Sequence, residues 1–429
     1  METREISVDD LRPGMYVSQL DRPWLGTPYL LEGVLIQSQK DIDQLAQLCQ
    51  TVFVDEKTIP ASFRPKRVIP VKTNSSAPKV AASKKTAIDQ ITPDKPEEIE
   101  RTPFHGNQRY TDIHPVEREL PTARQALEVS ISMLEEIHEC IEHGVKLDYR
   151  RAKEVIESLR ESVVRNPDAL LLLSRLRKTR HELYEKSVRS SVYLLALGRH
   201  LGLPREELSA LGMGGLLMDV GQAQLPVGIQ KKTGKLSTAE HEIFKCHVAY
   251  GETSVAATPD ISEAVLAIVA QHHERENGSG YPRGLFANQL HPYARMAAVI
   301  DSYESLIEPA RDMPAFRPFE ALRELQTNSM GGLNSTLVEQ FCQFIGVFPI
   351  GSLVELNTGE VAVVLAHNRT QRFRPKIMVI LDAKKKPHES PRQLDLRLSE
   401  TSAAGIEYEI KRDLALGAFG IDVSRYYLG

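Results

Sequence analysis

Cysteine is scarce and scattered. The 429-residue chain has four cysteines, Cys49, Cys140, Cys246 and Cys342, with no CxxC pair among them. A disulfide framework is therefore excluded, and the four read as reduced, isolated thiols. There is no long uncharged apolar run and no leading basic-then-apolar segment. This argues against a membrane-spanning helix and a secretory signal, so a cytoplasmic protein is expected. Neither sign of charge dominates: 53 Lys and Arg stand against 57 Asp and Glu, a net charge of -4. No affinity of the whole chain for nucleic acid or an anionic membrane follows. What is present is ordinary for a soluble globular protein, 41% hydrophobic and 26% charged, with length for about two to four domains.

Patterning divides the chain into four parts. Over residues 1–62, Ile6, Val8, Leu11 and Met15-Tyr16-Val17 predict a strand, turn and strand around Arg12-Pro13-Gly14. Ile42, Leu45 and Cys49 share a face of a short helix, and Thr51-Val52-Phe53-Val54 is β-like, so this part is a small mixed domain. Residues 63–115 are rich in Lys, Pro, Ser, Thr and Ala, and a flexible linker is expected there. Residues 116–346 carry helical stripes: Val129, Met133, Ile137 and Ile141, then Val155, Leu159 and Val163. Asn166-Pro167-Asp168 starts an apolar helix at Ala169. In the next helix Lys186 falls on the stripe Leu183, Tyr193, Leu194 and Leu197, with Glu182 one turn before it. After Pro349 the pattern turns β. Leu353–Leu356 and Glu360–Val364 flank the hairpin signal Asn357-Thr358-Gly359, and Lys376–Leu381 is another strand. A β-rich module is expected over 347–429.

The chemistry gathers around His272-His273-Glu274. Ile261, Val265, Ile268 and His272 recur at spacings of four, three and four, so His272 continues an inward face and His273 sits one step round. Gly278-Ser279-Gly280-Tyr281-Pro282 then breaks the helix. Asp301 shares a helical face with Ala294, Ala297 and Ala298, close to a packing surface. A buried carboxylate needs a cation or several hydrogen bonds. Histidines with an inward carboxylate are a donor set for zinc, iron or manganese.

Together, Leu216-Leu217-Met218-Asp219-Val220-Gly221, Gly234-Lys235-Leu236, His247 with Gly251, the histidine stretch, Gly284-Leu285 and Ala294-Arg295 with Asp301 carry a resemblance. The segment from roughly 168 to 350 resembles an HD-GYP domain, the bacterial phosphodiesterase branch of the HD superfamily. The resemblance implies an all-α bundle with two or three metals, usually iron or manganese, that hydrolyses cyclic di-GMP. It implies one metal position made by Asp219, His247, His272 and His273, all present. The adjacent position would draw on Asp219, Asp301 and two histidines, but Lys186 and Met218 stand in their places. Glu182 matches a carboxylate of three-metal members. Gln222 replaces a lysine, Ala310 replaces a phosphate-reaching arginine with Arg311 one position off, and Leu333-Asn334-Ser335 replaces a Phe-Asp-Pro pattern. The loop residues Gly278, Gly280, Tyr281 and Pro282, with Arg295, are expected to contact a nucleotide or a protein such as a diguanylate cyclase.

The expected fold is mainly α: an HD-type helical bundle, a small α+β N-terminal domain and a small β-rich C-terminal module. The expected function is a catalytically degenerate HD-GYP protein that binds, regulates or scaffolds in cyclic di-GMP signalling. It would hold one ion of iron, manganese or zinc, or none. The alternative is a residual phosphodiesterase working with a single metal at Asp219, His247, His272 and His273. Lys186 is either a snorkelling lysine or an ammonium standing where a metal stood. Met218 reads as core filler, Cys246 as a small buried residue, and His200 and His291 as surface residues.

Overall fold

Short apolar alternations in the first 55 residues form four strands, β1 (Thr3–Ser7), β2 (Tyr16–Leu20), β3 (Val34–Leu35) and β4 (Thr51–Asp55), and one helix, α1 (Gln39–Ala46). The sheet order is β1-β4-β2-β3, antiparallel throughout. β1 and β2 follow one another in the chain, yet β4 lies between them. Ser38 and Asp41 form a capping box that starts α1. The helix buries Ile42 and Leu45 with Ile6, Val17, Val52 and Val54. In this computed structural model the chain divides into two units, residues 1–102 and 103–429. The structure describes residues 3–21, 34–36, 38–55, 104–176, 182–230, 232, 234–308, 315–327, 331–368, 371, 373–402, 404–415 and 417–421.

The second unit begins with helices: α2 (Val116–Glu142), α3 (Tyr149–Arg165), α4 (Pro167–Leu176), α5 (Glu182–His200) and α6 (Arg205–Leu217). It continues with α7 (Val227–Gln230), α8 (Thr238–Ala256), α9 (Glu263–Gln271), α10 (Pro292–Ile307), α11 (Pro318–Gln326) and α12 (Ser335–Ile345). α4 carries the apolar run Ala169–Leu173 and is buried at every position but Arg175, as a central helix is. It packs against α2, α3 and α5. On the α2 stripe Val129 is exposed, while Met133, Ile137 and Ile141 are buried. α6 approaches α5 closely because it carries glycines. A Cβ on Gly215 would come within 2.8 Å of the Ser191 backbone. No helix among the described residues is long and apolar enough to cross a membrane.

The linker expected over 63–115 does not extend to its end. Residues 104–115 form a strap bound to the bundle. Gly106 N donates to Leu201 O at 2.9 Å, Gln108 N to Gly202 O at 2.9 Å, and Ile113 N to Arg165 O at 2.8 Å. Tyr110 donates its hydroxyl to Leu203 O, and Asp112 pairs with Arg199. These are largely backbone bonds, which side-chain composition does not announce. Residues 56–103 lie outside the described residues.

Beyond the helices, β5 (Leu353–Leu356), β6 (Val361–Ala366), β7 (Lys376–Leu381), β8 (Pro387–Asp395) and β9 (Ile410–Leu414) make an antiparallel sheet of order β8-β7-β6-β5-β9. Gly359, at a φ of +84°, turns β5 into β6. The sheet rests on the bundle: His367 N donates to the buried Asp168 carboxylate at 3.0 Å, and β6 packs on α4. The fold is mainly α, with a helical core, a small α+β part before it and a β-rich part after it.

Candidate metal centre

Five elements converge on one point. α5 brings Lys186, and α8 brings His247. His272 and His273 follow the end of α9, and α10 brings Asp301. Asp219 stands just after α6 and opens a 3₁₀ turn over Val220–Gln224. Gly221 in that turn lets it lie against α8, since a Cβ there would come within 2.0 Å of His247 O and 2.4 Å of Gly251 N. Asp219, His247, His272 and His273 each offer a ligand atom, all within 4.8 Å of one another.

The imidazoles are oriented from behind. His247 Nδ1 donates to Phe244 O at 2.6 Å, and His272 Nδ1 donates to Val269 O at 3.0 Å. A carbonyl only accepts, so each ring carries its proton on Nδ1 and presents a lone pair at Nε2. Those Nε2 atoms lie 3.4 Å and 3.9 Å from Asp219 Oδ1. Both are buried with no hydrogen-bond partner. Lone pairs facing a carboxylate oxygen repel unless a cation sits between them. Burial pushes His247 down to about 4, against the pull of Asp219, so the ring is neutral at neutral pH. Backbone carbonyls behind the rings and vacant lone pairs in front are the arrangement of metal-ligating histidines. The donor set thus fits a metal ion.

Lys186 occupies the other side of Asp219. Its Nζ lies 2.9 Å from Asp219 Oδ2 and donates to Asp301 Oδ1 at 2.7 Å. The lysine side chain is 20% exposed, and the two carboxylates are buried. Burial opposes its charge, but Asp219 and Asp301 outweigh burial and raise its pKa. Burial likewise opposes ionisation of Asp219 and Asp301, but the Lys186 ammonium outweighs it and holds both below the usual carboxylate range. Two carboxylates against one ammonium leave one negative charge, which suits a further cation at the imidazoles. Lys186–Asp301 is also one rung of a ladder. Three residues on along each helix, Arg189 Nε donates to the buried Glu304 at 2.7 Å.

The loop after α9 closes over His273. Tyr281 stacks on the His273 ring, with centroids 4.5 Å apart and planes at 24°, and Lys245 lies 5.4 Å from the Tyr281 ring centre. His273 Nδ1 is 3.3 Å from Asp301 Oδ2. Glu274 is buried and holds the loop, accepting from Arg283 N at 2.7 Å and Leu285 N at 3.0 Å. Gly280 packs on the Glu274–Arg275 backbone, where a Cβ would meet atoms at 2.4 Å. The Tyr281–Pro282 bond is cis, and Gly278 has a φ of +75°. Glu274→Gln should set an amide against an N–H donor, at a cost of about 1–3 kcal/mol. Hydrogen exchange at residues 283 and 285 is expected to quicken on the order of tenfold or more; unchanged protection would contradict this role for Glu274.

The remaining sequence candidates are distributed as follows. Met218 is fully buried, as core filler. Gln222 turns back onto Asp219. Arg295 ties the loop, donating to Leu290 O and Ala287 O and pairing with Glu276. Asn334 caps α12 and donates to Glu276. Glu182 begins α5, but its side chain, like Ala310 and Arg311, lies outside the described residues. Two expectations need correction. Cys246 is exposed rather than buried, because the α8 face next to His247 looks outward. His291 is half-buried and caps α10 through Nδ1, a role that the following Pro292 at the first helical position could have signalled. Sequence reasoning missed Arg189 and Glu304, which lie 115 residues apart and carry no local signal.

Comparison with known families agrees with this geometry. An HD domain model matches residues 172–332, the stretch that contains every residue of the centre. The chain carries an HD domain. A domain of unknown function, DUF3391, matches residues 3–152, and a KOW domain associated with HD domains matches 353–403. Among curated relatives, the cyclic di-GMP phosphodiesterase PA4108 of Pseudomonas aeruginosa is 28% identical over 89% of this HD-domain chain and 86% of its own. The cyclic di-GMP phosphodiesterase response regulator RpfG of Xanthomonas campestris is 34% identical over 26% of this chain and 30% of its own. The 3′3′-cGAMP-specific phosphodiesterase 2 of Vibrio cholerae is 32% identical over 28% of this chain and 23% of its own.

Proposed function

We propose that this HD-domain protein acts in cyclic-dinucleotide signalling as a binding or regulatory protein, holding one metal ion and not turning over cyclic di-GMP. The observation that carries the reading is the Lys186 ammonium, which lies within 2.9 Å of both Asp219 and Asp301. An ion held by Asp219, His247, His272 and His273 would supply Lewis acidity and lower the pKa of a bound water. Two-metal hydrolysis also needs a second ion on the shared carboxylates, to activate the nucleophile and meet charge on the leaving oxygen. Lys186 engages Asp219 and Asp301, the carboxylates that would hold such an ion. An ammonium offsets one of their two charges but offers no coordination position. Gln222, where the resemblance expects a lysine, spends its donor on Asp219 and leaves phosphate charge unmet.

The test is a turnover assay on protein loaded with manganese or iron, with products separated by chromatography and binding followed by calorimetry. Cyclic di-GMP is expected to bind without forming linear product. A second reading, a residual single-metal phosphodiesterase, is supported by the intact four-residue cluster and by likeness to a named phosphodiesterase along most of the chain. Multiple turnovers that His272→Ala abolishes would establish it and overturn the first.

A further inference from the structure

Asp219 is engaged on both oxygens. Lys186 Nζ lies 2.9 Å from Oδ2, and Gln222 Nε2 donates to Oδ1 at 2.8 Å. Oδ1 is also the oxygen that faces the Nε2 atoms of His247 and His272. The local backbone sets the reach of Gln222. In a 3₁₀ turn residue i+3 lies over residue i, and Gln222 N donates to Asp219 O at 3.0 Å as that turn begins. A carboxylate only accepts, so the amide nitrogen must face it, and Oδ1 keeps a second lone pair for an ion.

We propose that Gln222 is a positioning residue for the metal: its amide fixes the rotation of the Asp219 carboxylate so that Oδ1 is presented to an ion at His247, His272 and His273. Its side chain is turned inward, onto a ligand, rather than outward to a phosphate. The inference rests on the one-metal reading above. Partners that orient a ligand in this way typically change metal affinity 10–100-fold.

Cobalt(II) titration of the metal-free, full-length protein tests it. Gln222→Met keeps the length and loses the donor; Gln222→Asn keeps the amide but falls one methylene short, and carries the comparison if the first variant does not fold. Wild type is expected to bind one cobalt ion. Both variants should bind it roughly tenfold or more weakly, with shifted visible absorption that reports a changed carboxylate geometry. A merely structural glutamine would move the melting temperature of the metal-free protein and leave the cobalt spectrum alone. One ion in the wild type, with variants equal in affinity and spectrum, overturns this inference and leaves the one-metal reading standing. Two ions in the wild type overturn the one-metal reading, and none overturns both.

Discussion

Lys186→His combined with Met218→His should raise the metal content of the purified protein from one ion per chain towards two. The carboxylates that would share the new ion are already turned to the right place, since Asp219 and Asp301 both meet the Lys186 ammonium. Met218 precedes Asp219 and is fully buried, so a histidine there stays inside the bundle. The resemblance to HD-GYP domains implies histidine at both positions. Neutral imidazoles in place of an ammonium also return the local charge to two uncompensated carboxylates, which favours a divalent cation. Hydrolysis should recover only weakly, because Gln222 still leaves a substrate phosphate without a cation. Elemental analysis after metal loading checks the count. A folded double variant that still holds one ion would mean that loss of ligands alone does not explain the single-ion site.

Lys186→Met should destabilise the metal-free protein strongly. Methionine keeps most of the unbranched stem and removes the charge. Asp219 and Asp301 are then buried without their principal cation. Removing one partner of a buried ion pair costs about 3–5 kcal/mol. For a unit of this size that lowers the melting temperature by roughly 4–7 °C. Arg189–Glu304 still ties α5 to α10, so the helices should stay together and the loss should fall on the centre. Manganese should restore part of it, because a divalent ion replaces the missing charge. Melting followed by circular dichroism in chelator decides the point. An unchanged midpoint would mean that Lys186 only snorkels past the carboxylates.

Local pattern carried much of this into the sequence. The helical period put His272 inward, the alanine face put Asp301 at a packing surface, and Asn357-Thr358-Gly359 fixed a hairpin between β5 and β6. What local pattern lacks is the partner across the fold. Lys186 on an apolar stripe was readable as a buried charge, but two rungs joining residues 115 apart were not. Gln222 was legible as a missing lysine, yet its return to Asp219 depends on a 3₁₀ turn that a helical reading does not produce. The strap over 104–115 has the composition of a linker and is held by carbonyls at the end of α3 and just after α5. Cys246 shows the converse error: a small apolar residue beside a buried histidine lies on the outer face of the same helix.

The most direct test of the account is the number of metal ions that wild-type protein retains. After loading with manganese or iron and removal of loosely held metal, elemental analysis should give one ion per chain, lost when His247 and His272 are replaced by alanine. Two or more tightly bound ions per chain would show that Lys186 does not stand in a metal's place.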